Sequence, residues 1–118
     1  MLTLFERIGG FVKVRHIVSA FYDRVLGSSL GRYFEHTDMR TLIDHQTKFI
    51  SSVMGGPVSI SDSALKRAHE RLGITKEDFD QVVGLLEETL KDFDVPPVDL
   101  EQVLAEVRRR QHLIVTRG

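Results

Sequence analysis

Apolar residues along the chain recur at intervals of three and four positions, the spacing of one helix face, and do not alternate as strand residues do. Four long stripes of this kind run over residues 11–26, 38–54, 76–93 and 99–114. A shorter stripe covers residues 64–72, after an irregular, serine-rich connector over 58–63. The sequence therefore predicts an all-α fold in which four long helices and one short helix share a core.

Residues that start or stop helices stand at the ends of these stripes. Thr37 or Asp38 is suited to cap the second long helix, and Thr75 followed by Asp78 approximates a capping box at the third. Asp99 is the predicted start of the last helix. Gly27, Gly55 and Pro96 follow the first three long stripes, and Gly73 follows the short one.

Composition narrows the class of protein. A chain of 118 residues with 42% apolar and 28% charged residues is expected to form a single globular domain over 1–118. A net charge of −1 gives no general attraction to nucleic acid or to an anionic membrane, so neither is an expected partner. Neither a signal peptide nor a membrane-spanning run is recognisable, so a cytoplasmic location is expected.

The absence of cysteine excludes several kinds of chemistry. Disulfides, thiolate nucleophiles, iron–sulfur clusters, cysteine-rich zinc sites and the C-x-x-C-H attachment of haem all need cysteine. Oxygen and nitrogen atoms are the ligands that remain for a metal or a cofactor.

One polar side chain falls where an apolar one is expected. At 100° per residue, Gln46 lies at the centre of the apolar arc of the second helix. A buried amide without a partner costs on the order of 1–3 kcal/mol, so Gln46 needs a hydrogen-bonding neighbour or a bound group. Tyr22 lies within the apolar stripe of the first helix, so its phenol and this amide can converge. A structural Tyr–Gln hydrogen bond is the commoner outcome for such a pair, and a ligand site is the alternative.

Two histidines lie on or beside apolar faces of different helices. His69 falls between two leucines on the short helix, and His45 lies at the margin of the second helix's apolar arc. Taken singly, each is ordinarily a packed or half-exposed side chain. Together they suit a nitrogen-ligated metal or haem iron. Zinc needs three or four ligands, and neither His16 nor His36 obviously completes that set, whereas haem needs only one or two. The pattern therefore favours haem.

Motifs spread over almost the whole chain resemble those of a known family. They are LFERIGG at 4–10, FYDRVL at 21–26, YF at 33–34, DM at 38–39, HQTKF at 45–49, GGP at 55–57 and AHERLGIT at 68–75. In this order and spacing, the chain resembles the truncated haemoglobins, specifically the group I type. The resemblance implies a two-over-two helical sandwich around haem b.

The same resemblance implies roles for particular side chains. His69 would be the proximal ligand of the iron, and Phe34 would pack on the porphyrin. Tyr22 and Gln46 would form the distal pair that hydrogen-bonds to a ligand on the iron. The other residues expected around the haem are Leu42, Phe49, Leu65, Leu72 and Phe79.

His45 points to one branch of this family. Many group I members carry lysine there, whereas the cyanobacterial type carries a histidine that binds the iron when no other ligand is present. That type also has a second histidine joined covalently to the haem, and His112 falls at the comparable place. On a helical wheel His112 lies off the buried stripe, so a solvent-facing side chain is the favoured interpretation. Leu42 stands where the cyanobacterial type has a polar residue, which implies a drier pocket.

The function implied by the resemblance is reversible binding or transport of oxygen and other diatomic ligands, namely nitric oxide and carbon monoxide. The expected chemistry is nitric oxide dioxygenation, or protection against nitrogen oxides and peroxide. Turnover would need an external reductase, so the sequence leaves open whether the protein acts as an enzyme.

Two other classes of protein compete with this interpretation. The segment 68–73 is also similar to the phosphoacceptor stretch of histidine phosphotransfer domains, which are helical signalling modules without haem. Such a module needs an exposed histidine in the middle of a long helix. A cofactor-free interaction module is the third hypothesis, with Arg108, Arg109 and Arg110 as a contact patch. Cations in the last turn of a helix more simply complement its dipole.

Overall fold

The computed structural model describes residues 1–70 and 72–116, and its regular elements are helices. In chain order they are α1 (Leu4–Ile8), α2 (Gly10–Leu26), a 3₁₀ helix (Ser29–Phe34), α3 (Met39–Val53), α4 (Asp62–His69), α5 (Lys76–Asp92), α6 (Pro97–Arg109) and α7 (Gln111–Ile114). The predicted all-α class is confirmed.

The four long helices form two layers. α2 packs along α3 in one layer, α5 packs along α6 in the other, and α2 also crosses onto α5. The apolar stripes read from the sequence supply the contact surfaces, because residues three and four apart share one helix face. Val14 and Ile17 of α2 and Leu90 of α5 are fully buried between the layers. This arrangement is the predicted two-over-two sandwich.

The predicted helix starts are satisfied by side-chain caps. The Asp38 carboxylate accepts from the backbone N–H groups of Arg40 and Thr41, and the Thr75 hydroxyl accepts from that of Asp78. These bonds satisfy donors that have no partner within the helix. The second and third long helices therefore begin where the sequence predicts.

The predicted boundaries of the last and the short helices are wrong by a few residues. α6 begins at Pro97, two residues before Asp99. Proline suits the first helical position because its ring fixes φ near the helical value, and because the N–H group that it lacks would have no partner within the helix. The last stripe is interrupted at Arg110, whose backbone N–H turns back to the carbonyl of Val107. The short helix spans Asp62–His69 because Ser61 caps it. Its predicted range, 64–72, includes residue 71, which lies outside the described residues.

Two elements were not predicted. α1 has a complete capping box, in which Thr3 and Glu6 satisfy each other's backbone N–H groups. The 3₁₀ helix Ser29–Phe34 begins with the Ser28 hydroxyl accepting from Leu30 N–H. Both elements are too short to show an apolar period, which needs a window of about 11 residues.

Charged side chains tie the helices together at the surface. Both terminal nitrogens of Arg7 donate to the carboxylate of Asp99, at 3.0 and 2.9 Å, and so connect α1 to α6. Arg24 of α2 donates to the buried Thr89 hydroxyl of α5 at 2.8 Å. Over the residues described, the structure has no helix long and apolar enough to traverse a bilayer.

Candidate functional site

A cavity lies between the two helix layers, and α4 forms part of its wall. About 960 Å³ of atom-free space lies within it and at its mouth. Its walls are mainly apolar, and polar groups reach it from only a few side chains. The residues predicted for the site that line it are Tyr22, Phe34, Leu42, Gln46, Phe49, Leu65, His69, Leu72 and Phe79.

His69 supplies the imidazole of the cavity. It is the last residue of α4, is half-buried, and its Nδ1 lies 2.8 Å from the carbonyl oxygen of Leu65, one turn earlier. A carbonyl only accepts, so the hydrogen of the neutral ring sits on Nδ1 and the lone pair is on Nε2. Burial lowers the pKa of His69, and the hydrogen bond to Leu65 opposes that shift. The site therefore favours a neutral imidazole with Nε2 available as a ligand.

Tyr22 and Gln46 reach the cavity from α2 and α3. Tyr22 is buried, and Gln46, half-buried, lines the same space. Burial raises the pKa of the Tyr22 phenol, and its interaction with the Gln46 amide acts in the opposite direction. Tyr22 therefore stays protonated and able to donate a hydrogen bond. Leu42, one turn before Gln46, adds an apolar side chain to this end.

The remaining histidines lie outside the cavity lining. His45 is exposed on α3, next to Gln46, and does not line the cavity, so its role as an iron ligand stays a prediction. His112 is exposed on α7, beside the buried Leu113, and its covalent link to haem also stays a prediction. His16 and His36 are exposed as well. Within 1–70 and 72–116, no group of three or more histidine or carboxylate side chains could hold a bare metal ion.

The sequence did not single out several cavity residues. α7 contributes Ile114, α6 contributes Val107, and the loop before α5 contributes Ile74. Each belongs to an apolar stripe or loop, and periodicity says which face is buried but not which part of that face lines a cavity. The packing of α4 against α7, which places Ile114 and His69 in the wall of the same cavity, has no local signature.

A hydrogen-bond network anchors the 3₁₀ helix beside the cavity. The Tyr33 hydroxyl and the Arg32 guanidinium both donate to Oδ2 of Asp78, near the start of α5. The neighbouring Phe34 ring lies edge-on to that of Tyr22, with centroids 5.8 Å apart. Asp78 thus helps to hold an aromatic wall of the cavity, whereas its place in the sequence, three residues after Thr75, indicates only a capping role.

The structure bears on the two rival interpretations. His69 ends a helix of eight residues and its ring is half-buried, which differs from the exposed mid-helix position that a phosphoacceptor needs. Two of the three arginines of the predicted contact patch, Arg109 and Arg110, pair with Glu106 on the same helix turn. These observations favour the cavity over either surface as the functional site.

Comparisons with known proteins agree with this geometry. A family described as bacterial-like globin matches residues 3–116. A group 1 truncated hemoglobin GlbN of Synechocystis sp. is 35% identical, over 91% of this chain and 87% of its own. One from Mycolicibacterium paratuberculosis is 31% identical, over 89% of this chain and 78% of its own. The crystal structure of the 2/2 hemoglobin from Synechococcus sp. PCC 7002, in the cyanomet state with covalently attached heme, superposes with a TM-score of 0.87 at 28% identity, covering 98% of this chain and 100% of that one.

Proposed function

Because the chain belongs to the bacterial-like globins and, among them, to the group 1 truncated haemoglobins, we propose that its central cavity holds haem b and that His69 would bind the haem iron. The observation that carries this proposal is the His69–Leu65 hydrogen bond, which leaves the Nε2 lone pair free at the cavity wall. Metal-bound histidines commonly donate their other ring N–H in this way, which fixes the tautomer.

The rest of the cavity fits a flat, largely apolar ring. Phe34, Phe49 and Phe79 supply aromatic surface, and leucines from α3 and α4 complete the walls. Burying a porphyrin against such side chains is favourable because it removes apolar area from water. Since the chain has no cysteine, the haem is not held by thioether bonds.

Bound haem iron would supply an open coordination position for a diatomic gas. The Tyr22 hydroxyl and the Gln46 amide N–H are donors at the same cavity, so they can stabilise negative charge on a ligand held between them. Leu42 contributes an apolar side chain with no hydrogen-bond donor, so this end of the cavity attracts less water. We therefore propose reversible binding of oxygen, nitric oxide and carbon monoxide, with slow release of oxygen.

The proposed reaction is the conversion of nitric oxide and dioxygen to nitrate, with handling of other nitrogen oxides or peroxide as the wider role. Nitrate formation consumes one electron for each nitric oxide and dioxygen, so turnover needs an external reductase. Support comes from the two hydrogen-bond donors of the cavity, which suit oxygen retention.

His45 and His112 are proposed as further contacts to haem. His45 stands one residue from Gln46, so a rotation or local opening of α3 would bring its ring to the ligand side and give a six-coordinate iron without exogenous ligand. His112 precedes Leu113 and the cavity-lining Ile114 on α7, which puts it within one helical turn of the cavity wall. A solved relative carries covalently attached heme, which supports a test at His112.

Haem titration of the purified protein tests the proposed cofactor. One haem per chain and an intense visible spectrum are expected. His69→Ala should weaken haem binding by more than about 100-fold, since losing even a residue that supports a metal ligand costs 10–100-fold. His16→Ala, which alters an exposed histidine, is the matched control and should bind haem normally. Well-folded protein that takes up no haem from added haemin would contradict the proposal.

Spectra of two further variants test the other histidines. A low-spin ferric spectrum that becomes high-spin in His45→Leu would support six-coordination, and a high-spin spectrum of the unaltered protein would contradict it. Haem that stays with the chain in denaturing acid solvent, and is released from His112→Ala, would support the covalent link. Complete extraction of haem from the unaltered protein would contradict that link.

A further inference from the structure

The two tyrosines are the most readily oxidised aromatic side chains of this protein, since the sequence contains no tryptophan and also lacks cysteine. They occupy different settings. Tyr22 is buried at the cavity, whereas Tyr33 is half-buried on the 3₁₀ helix near the surface. The Phe34 ring lies between them, 5.8 Å from Tyr22 and 6.5 Å from Tyr33 between centroids. A short line of aromatic rings therefore runs from the cavity to Tyr33.

Tyr33 has a proton acceptor. Its hydroxyl donates to Oδ2 of Asp78, whose side chain is only 13% exposed. This bond raises the pKa of Tyr33, so the phenol keeps its proton until an electron is removed. Removal of an electron makes a phenol strongly acidic, and a carboxylate already in contact can take the proton at once.

Among the residues that the structure describes, no carboxylate is hydrogen-bonded to Tyr22. Its polar neighbour at the cavity is Gln46, and a carboxamide does not accept a proton near neutral pH. Loss of an electron from Tyr22 would leave a positive charge in an apolar wall, which is costly. The more remote tyrosine is therefore the better place for a stable radical.

Arg32 favours loss of the electron and the proton together. Its guanidinium lies 4.7 Å from the centroid of the Tyr33 ring and its Nη2 is 2.8 Å from the same Asp78 oxygen. A cation above the ring opposes any build-up of positive charge on it. Transfer of the phenolic proton to Asp78 as the electron leaves avoids that charge on the ring.

We propose that Tyr33 is a redox site of this protein, which receives the oxidising equivalent that hydrogen peroxide generates at the cavity. The proposal rests on the haem site proposed above, where peroxide would react. Hydrogen peroxide, two protons and two electrons give two water molecules. Bound haem would supply both electrons. One oxidising equivalent would stay on the haem until an electron arrives from an external reductant, and Tyr33 would replace the other electron. In that step the O–H bond of Tyr33 breaks, an O–H bond forms on Asp78, and a neutral tyrosyl radical remains. An external one-electron reductant of the ascorbate or phenol class restores Tyr33.

The test uses the ferric, haem-loaded protein mixed with hydrogen peroxide and frozen within seconds for electron paramagnetic resonance. The unaltered protein should show a tyrosyl radical, normalised to the ferric haem consumed. Tyr33→Phe, which keeps the ring and its packing, should lose that signal. Tyr22→Phe removes a hydrogen-bond donor of the cavity, so its signal is compared only per ferric haem consumed, and on that basis it should be retained. Asp78→Asn should lower the yield several-fold because an amide cannot take the proton.

A second measurement does not depend on any variant. Radical-trap adducts located by mass spectrometry in the unaltered protein should fall on the peptide containing Tyr33. A signal that survives in Tyr33→Phe and disappears in Tyr22→Phe would overturn the proposal, as would haem-loaded protein without a tyrosyl signal. The haem spectrum recorded before peroxide is added tests the haem site separately. Failure of haem uptake would overturn both proposals, whereas normal uptake without a Tyr33 radical would overturn this one alone.

Discussion

Tyr22 and Gln46 lie on helices of 17 and 15 residues that pack along each other, whereas His69 ends a helix of eight residues that packs chiefly against α7. The hydrogen-bond donors of the cavity therefore belong to the main helix sandwich. The imidazole belongs to a smaller unit formed by α4 and α7. Just after α7, the Thr116 N–H donates to the Ile74 carbonyl and connects this segment to the loop before α5.

This difference indicates that the two sides of the cavity have different local stability. Segments with few buried contacts open at lower free energy than segments within the core. α4 has one buried side chain, Leu65, while α2 has six. The position of His69 should therefore depend on the C-terminal residues, and the donors on α2 and α3 should be largely insensitive to them.

Of the variants below, Leu113→Ala should produce the largest difference between the two sides of the cavity. Leu113 is the buried residue of α7, and truncating a buried leucine costs about 3 kcal/mol. The loss should speed haem dissociation more than it changes oxygen release, because it loosens the His69 side and leaves Tyr22 and Gln46 in place. Haem transfer to an acceptor globin and stopped-flow oxygen release measure the two rates.

The control for that variant is Val98→Ala. Val98 is 72% exposed on α6, so its truncation should change stability by less than about 0.5 kcal/mol. Equal acceleration of haem loss and oxygen release in Leu113→Ala would contradict the separation between the two sides.

Gly56→Ala tests the packing in the main helix sandwich, at the place where the end of α3 contacts α1. An added Cβ would lie 2.9 Å from both the Ser51 carbonyl oxygen and the ring of Phe5. Overpacking of this kind costs about 2 kcal/mol, which urea unfolding would measure. Gly84→Ala is the matched control, because a Cβ there meets nothing within 4 Å and alanine favours a helix. A Gly56→Ala protein as stable as its parent would contradict the close packing of α3 on α1.

Acid should lower the unfolding free energy of the haem-free protein, because unfolding lets His69 bind a proton more readily. The folded pKa of His69 lies below its usual 6.5, mainly because of burial, so the unfolded chain binds more protons in that range. Its contribution to stability is present above pH 6.5 and is lost as the pH falls through the folded value. The drop in unfolding free energy between about pH 7.5 and about pH 5.5 should be smaller in His69→Gln than in His16→Gln. Equal drops would show that His69 is not the group responsible.

Asp94→Gly should change stability least of these variants, and it should stabilise the protein. Asp94 follows the end of α5 with φ of +60°, in a Schellman motif closed by Val95 N–H to Leu90 O and Asp94 N–H to Lys91 O. Glycine adopts this conformation without a Cβ penalty, so the variant should be more stable by about 0.5 kcal/mol in thermal unfolding. A fall in melting temperature would indicate that the Asp94 side chain contributes more than its backbone strain costs.

Local sequence signals predicted most of the fold and part of the site. The long apolar stripes, the caps at Asp38 and Thr75 and the glycines after helices are each visible within a few residues, which is why α2, α3 and α5 were predicted closely. The short α1, the 3₁₀ helix and the break at Arg110 were not, because each depends on one or two hydrogen bonds. The convergence of Tyr22 with Gln46 was predicted from helix faces alone.

By itself, the sequence determined the all-α class, the helix faces and two candidate ligands, His45 and His69, because an apolar period and a polar residue within or beside it are local properties. The resemblance to the truncated haemoglobins then implied the proximal role of His69. The tertiary structure alone decided that α4 packs on α7, that Asp78 joins Arg32 and Tyr33 beside the cavity, and that His45 lies outside the lining. These features join residues far apart in the chain, and their energies arise only when the helices pack.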